Sequence, residues 1–304
     1  MIVLVNPRAR GARRDAGLVG RLRGLAGNTA EVVTVDDPAT IAARLADERV
    51  SLVALCGGDG TARASLTALE LAYRARGLLL PRVALLRGGT INTVATNLGI
   101  RGTPEALLSR LVARLRADAP LPMARHTLLR VNDSLGFLFA AALGARFLER
   151  YYAHPDPGPA RALRLAIGVA LSALVSGRDA RALFAPARIG VTADGESRTI
   201  ETARLVVAST VPDVGVGMRI APRAQDLPGC FQLVVSGLSS LEMALGIPAV
   251  QAGRALAGAA HLDRVCRAAT LEMERDEPYT LDGDLFRART ITLAAAGPVW
   301  LVRA

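Results

Sequence analysis

The apolar run SLVALC at 51–56 passes through Gly57-Gly58-Asp59-Gly60-Thr61 straight into a helical pattern. A strand that ends in consecutive glycines and restarts as a helix constrains the fold strongly. Glycines let backbone N–H groups converge without side-chain obstruction, and the helix N-terminus adds partial positive charge. The chemistry is that of a phosphate cradle, and the plain alternative is a tight strand-to-helix turn. A dinucleotide fingerprint is excluded, because the spacing needs a third glycine at position 63 and Arg63 stands there.

The pattern recurs. The run at 82–86 ends in Arg87-Gly88-Gly89-Thr90-Ile91-Asn92 and again opens a helix, and the first run, 2–5, leaves through Asn6-Pro7-Arg8-Ala9-Arg10-Gly11. Further buried runs at 31–35 and 51–56 alternate with helical stretches at 38–48, 61–76, 90–98 and 104–118, which predicts a parallel sheet covered on both faces. Ligands bind at the carboxyl ends of such strands, so glycine loops at one edge make one site.

Beyond Pro120 and Pro122 the texture changes to strand-like runs at 126–131, 136–143, 187–193, 203–209, 230–236, 265–273 and 290–293, the signature of an antiparallel sandwich or barrel. The expected fold class is thus α/β followed by β. A doubly wound domain spans 1–124, the closing segment at about 295–304 is expected to pack back on it, and an antiparallel sandwich or barrel domain spans 125–294. Two helical insertions are expected in the second domain, Ala160–Val175 and Ser240–Leu256. Their apolar stripes read as core packing or as membrane or acyl-chain contacts.

All 37 basic residues are arginine, and the chain carries a net charge of +10. Without lysine, a Walker-type phosphate loop, a protein-kinase site and Schiff-base chemistry all drop out. Any phosphate must meet backbone amides, arginine or metal. The positive charge reads either as attraction to phosphates and anionic headgroups or as an arginine-rich coding bias. With 4% aromatic residues and no basic–aromatic stripe, nucleic-acid binding is not expected. Three scattered cysteines suit a reducing compartment. The opening run leaves no room for a signal peptide, and the longest apolar stretch, 163–176, is shorter than the roughly 20 residues of a spanning helix. The cytoplasm is therefore expected. His126, His154 and His261 show no metal-ligand spacing.

The order NP-x-x-x-G, GGDGT, G-G-T-x-N and a late D-G-[DE], together with GVGMRIAPRA at 215–224, resembles the diacylglycerol kinase catalytic family. That family includes sphingosine and ceramide kinases and is related to NAD kinases. The resemblance implies that the first domain is a nucleotide-binding domain that holds ATP through Asn6, Pro7, Arg8, Gly57, Gly58, Asp59, Gly60, Thr61, Gly88, Gly89, Thr90 and Asn92, and that the second is a β-sandwich that shapes a lipid acceptor site. It also implies peripheral membrane association. Oligomeric state stays open between monomer and homodimer.

Phosphoryl transfer needs a held γ-phosphate, charge neutralisation and a hydroxyl oriented beside a carboxylate. Asp59 reads as a turn residue that caps the helix, or, by the resemblance, as a nucleotide or Mg²⁺ ligand with a direct base role open to it. Asp282-Gly283-Asp284 and Asp194-Gly195-Glu196 are both ordinary hairpin signals. The later copy matches the family's D-G-E by position, which implies Asp284 as general base with Asp282 supporting it. Several positions depart from the family pattern: Ala62-Arg63-Ala64 where L-N-E is common, Thr93 for an acidic residue, Arg87 for proline, and Leu227-Pro228-Gly229 for Asp-Asp-Gly. Asp226 is the remaining acid near that last position. The rival readings are a soluble NAD kinase-type enzyme and a nucleotide-binding protein without kinase activity.

Overall fold

The computed structural model describes residues 1–153, 182–215, 217–258 and 260–303. The expected helix at 160–175, the apolar stretch at 163–176 and His154 lie outside the described residues. Two compact units result: residues 1–126 with 297–304, and residues 127–296.

The first unit runs β1 (Ile2–Val5), α1 (Arg10–Arg14), α2 (Leu18–Ala26), β2 (Glu31–Thr34), α3 (Ala39–Asp47), β3 (Leu52–Cys56), α4 (Asp59–Arg74), β4 (Arg82–Leu85), α5 (Thr93–Asn97) and α6 (Pro104–Arg116). Its strands are parallel, in the order β4-β3-β1-β2. Every residue of β1 and β3 is buried, as apolar strands covered on both faces must be. Helices pair as α2 with α6 and α3 with α4. They contribute the fully buried Leu22, Leu45, Leu66, Leu69, Leu107 and Leu111, each worth about 1.5–3 kcal/mol of transfer free energy. Helix α6 starts cleanly because Thr103 Oγ1 accepts the Ala106 N–H at 3.3 Å and Pro104 occupies the first turn.

The second unit contains β5 (Met123–Val131, whose first residues belong to the first unit), β6 (Ser134–Gly136), β7 (Leu138–Ala142), α7 (Leu143–Tyr152), β8 (Ala187–Ala193), β9 (Glu196–Ala203), β10 (Leu205–Ser209), β11 (Phe231–Ser236), α8 (Ser240–Gln251), β12 (His261–Cys266), β13 (Ala268–Leu281) and β14 (Asp284–Val302). Strands β12-β11-β10-β7-β13-β14 are antiparallel neighbours. Residues 301–302 of β14 belong to the first unit, where they extend its sheet in parallel beside β4.

Strand β13 is long because it changes partner. Its first half pairs with β8 and its second with β7, across a register break between Glu272 and Glu277. One core gathers Leu129, Phe139, Phe231, Leu271, Leu281 and Ile291. A second, on Ala140, Leu205, Val207 and Val234, is closed by Met243 of α8.

Some expected elements differ. The strand expected at 265–273 breaks at Arg267, whose N–H is taken by the Asp194 carboxylate, so the chain turns from β12 into β13. The run at 136–143 breaks at Phe137 for the same kind of reason, a carboxylate capturing its amide. Strand β9 carries mostly exposed polar side chains, and so has no apolar alternation by which to be recognised.

Candidate active site

Strands β1, β3 and β4 release three loops at the carboxyl edge of the parallel sheet, and backbone contacts lock these loops together. Gly11 N–H donates to the Gly88 carbonyl at 3.1 Å, and Asn6 N–H to the Cys56 carbonyl at 3.0 Å. The Asn6 side chain works at both ends: Nδ2 donates to Thr61 Oγ1 at 2.9 Å, and Oδ1 accepts the Arg8 N–H at 2.8 Å. The Arg8 guanidinium itself pairs with Asp36 at 3.0 Å in an exposed bridge.

The glycines have a reason that the sequence did not disclose. A Cβ on Gly88 would stand 2.9 Å from Gly57 N, and one on Gly89 would overlap Gly58 Cα. The second loop rests directly on the first, so the missing side chains make room for backbone as well as for a ligand. Helix α4 has no side-chain N-cap on Gly58, and the first-turn amides at 59–61 are the orphan donors that every helix start presents. Thr61 keeps its hydroxyl proton free to donate, since the oxygen accepts from Asn6.

Asn92 is 7% exposed and left-handed at φ +53°. Its Oδ1 accepts Gly89 N–H and its Nδ2 donates to the Gly89 carbonyl, so the side chain closes its own loop. Arg87, also left-handed, donates Nη1 to the Ile100 carbonyl at 2.5 Å.

Asp59 caps a helix, but not its own. Its Oδ2 accepts the Thr93 N–H at 2.8 Å and its Oδ1 the Val94 N–H at 3.1 Å, the first amides of α5. Enclosure of the carboxyl group pushes its pKa up, against the pull of those two amides and of Arg87. Both oxygens are thus engaged, and among the described residues no group of three or more histidine, cysteine or acidic side chains could hold a metal. In this arrangement Asp59 is the cap of α5. Asp226, the acid near the missing Asp-Asp-Gly, faces Arg223 at 3.8 Å.

In the second unit, Asp282 and Gly283 (φ +49° and +93°) form the two-residue turn between Leu281 and Asp284, with both residues left-handed as a twisted hairpin requires. Asp282 N–H donates to the Leu138 carbonyl, and its carboxylate accepts the N–H groups of Leu138 (2.9 Å) and Phe137 (3.1 Å). Asp194 does the same with Ala268 and Arg267. Asn132 repeats the device on Thr292, donating N–H and accepting at Oδ1.

Three hairpins therefore share one anchor, and the late turn differs in surroundings alone. Asp282 is 4% exposed, whereas Asp194 lies on the surface. The Phe137 carbonyl receives Thr210 N–H at 2.9 Å, tying the turn to the end of β10, and Tyr152 Oη donates to the Gly283 carbonyl at 3.0 Å. Asp284 follows immediately, partly exposed. Phe137, Thr210 and Tyr152 carry no motif, and sequence reasoning did not single them out.

Residues 1–121 match the diacylglycerol kinase catalytic domain, and 161–296 match the YegS C-terminal NAD kinase beta sandwich-like domain. No curated protein matches the chain. A Bacillus anthracis str. Sterne protein, provisionally described as a diacylglycerol kinase, superposes with TM-score 0.71 at 12% identity, over 100% of this chain and 96% of that one. A diacylglycerol kinase of the same strain gives 0.64 at 13%, with the same coverage. Yeast NADH kinase complexed with NADH gives 0.51 at 11%, covering 100% and 83%. These likenesses bear on the fold, while the two domain matches bear on the family: the chain belongs to the diacylglycerol kinase catalytic-domain family.

Proposed function

We propose that the protein is an ATP-dependent lipid kinase that transfers the γ-phosphate to a hydroxyl of diacylglycerol, ceramide, sphingosine or a similar lipid. The observation that carries the nucleotide half is the uncapped start of α4 among three interlocked loops. Its first amides and the Thr61 hydroxyl donate to phosphate oxygens, as helix N-termini do to anions. The arginines of α1, Arg10, Arg13 and Arg14, add positive charge on the loop that leaves β1. ATP, when bound, supplies the phosphoryl group.

Asp284 is the proposed general base toward the acceptor hydroxyl. Asp282 positions it by fixing the turn on the Phe137 and Leu138 amides. The shared domain with NAD kinases keeps NAD as the rival acceptor.

The test is labelled ATP with a panel of detergent-dispersed diacylglycerol, ceramide, sphingosine and phosphatidylglycerol beside NAD. Product on a lipid and its loss in a folded, nucleotide-binding Asp284→Asn variant are expected. Product on NAD alone, or an Asp284→Asn variant of unchanged activity, overturns the lipid or the base assignment respectively. Nucleotide binding without turnover on any acceptor overturns the kinase reading itself.

A further inference from the structure

Helix α8 is unlike the other helices among the described residues. Its sequence, SLEMALGIPAVQ, holds one charge, Glu242, and that acid is occupied in a capping box with Ser239. Met243 packs in the second unit's core, and Val250 is buried on the same side of the helix. The opposite stripe, Leu241, Leu245, Pro248 and Ala252, faces solvent at helical spacing and carries no polar side chain, with Leu241 47% and Leu245 68% exposed. Exposed leucines occurring singly need no explanation, but an aligned uncharged stripe on one helix does.

The surroundings of the stripe are basic. Arg219 lies over Gly253 just past the helix end, so close that a Cβ built there would stand 3.4 Å from its Nη1. Arg254 follows directly and is exposed. Among the described residues neither guanidinium meets a carboxylate or other hydrogen-bond partner. Apolar side chains flanked by cations, in a chain of net charge +10, are complementary to one kind of surface.

We infer that the outer face of α8, with Arg219 and Arg254, docks on an anionic lipid bilayer. Leu241, Leu245 and Pro248 enter the boundary between headgroups and acyl chains, and the two arginines meet lipid phosphates. This deepens the reading above, since a lipid acceptor is met at a bilayer, yet its test needs neither nucleotide nor acceptor.

The full chain is sedimented with phosphatidylcholine vesicles, with and without phosphatidylserine, lipids that have no free hydroxyl. Binding that requires phosphatidylserine is expected. Leu241→Glu/Leu245→Glu is expected to abolish it with an unchanged melting temperature, and the milder Leu245→Ser to weaken it. Arg219→Ala/Arg254→Ala should lower partition about tenfold or more on charged vesicles.

No vesicle binding by the unaltered protein overturns the inference, as do variants that sediment like it. A dimer in solution that the glutamate pair converts to monomer also overturns it, by assigning the face to a second copy. Kinase activity on detergent-dispersed acceptor is read separately, so loss of docking and failure of the functional reading are distinguishable.

Discussion

The Asp59 carboxylate accepts the Thr93 N–H at 2.8 Å, so the acid of the first glycine loop starts the helix that leaves the second. Asp59→Ala strands two amides, each worth about 1–3 kcal/mol when left unpaired in a covered site. Calorimetry should show a lower melting temperature together with weaker nucleotide binding, and Asp59→Asn, which keeps one acceptor oxygen, should lose less. A kinetic defect in Asp59→Asn at full stability would instead mean that Asp59 acts on the phosphates.

The packing of the two glycine loops predicts a contrast between glycines. Gly89→Ala forces backbone apart at Gly58 and should cost at least about 2 kcal/mol, as overpacking does. Gly24→Ala lies in α2 with nothing within 4 Å of the added carbon, and should gain about 0.5–1 kcal/mol from helix propensity. Urea unfolding of both variants checks the pair.

The three hairpin anchors should differ in weight by burial. Asp282→Ala leaves the Phe137 and Leu138 amides unpaired in the interior and is expected to cost about 2–4 kcal/mol. Asp194→Ala does the same at the surface, where water replaces the carboxylate, for about 1 kcal/mol or less. Equal losses in denaturant titrations would contradict this ordering.

Tyr152→Phe removes the hydrogen bond to the Gly283 carbonyl, next to Asp284. Because Tyr152 is about half exposed, stability should change by less than about 0.5 kcal/mol, while kcat falls about threefold to tenfold with KM unchanged. Steady-state kinetics on the acceptor found by the panel reads the split.

Burial pushes the Cys56 thiol from 9.0 up to about 12. Between those values the native chain keeps a proton that the unfolded chain has lost, so stability falls as pH rises through that window. Cys56→Ala should flatten the fall, and in the native protein Cys56 should resist iodoacetamide at neutral pH until denaturant is added.

The sequence by itself determined what local chemistry dictates. Apolar runs between glycine turns become β1, β3 and β4, because strands buried on both faces cannot carry polar side chains. Asp-Gly makes a hairpin at 194–195 and at 282–283 alike, because both turns need two left-handed residues. Each of these signals lies within a few residues of its effect.

Tertiary structure alone decided what depends on partners far along the chain. Asp59 meets Thr93 across 34 residues, and Asp282 meets Phe137 across 145. Two turns of identical local form therefore differ only through what packs around them, Asp282 in the interior and Asp194 in water. A carboxylate takes its role from the donors and the dielectric that surround it. Those are properties of strand register and burial, which no short stretch of sequence encodes.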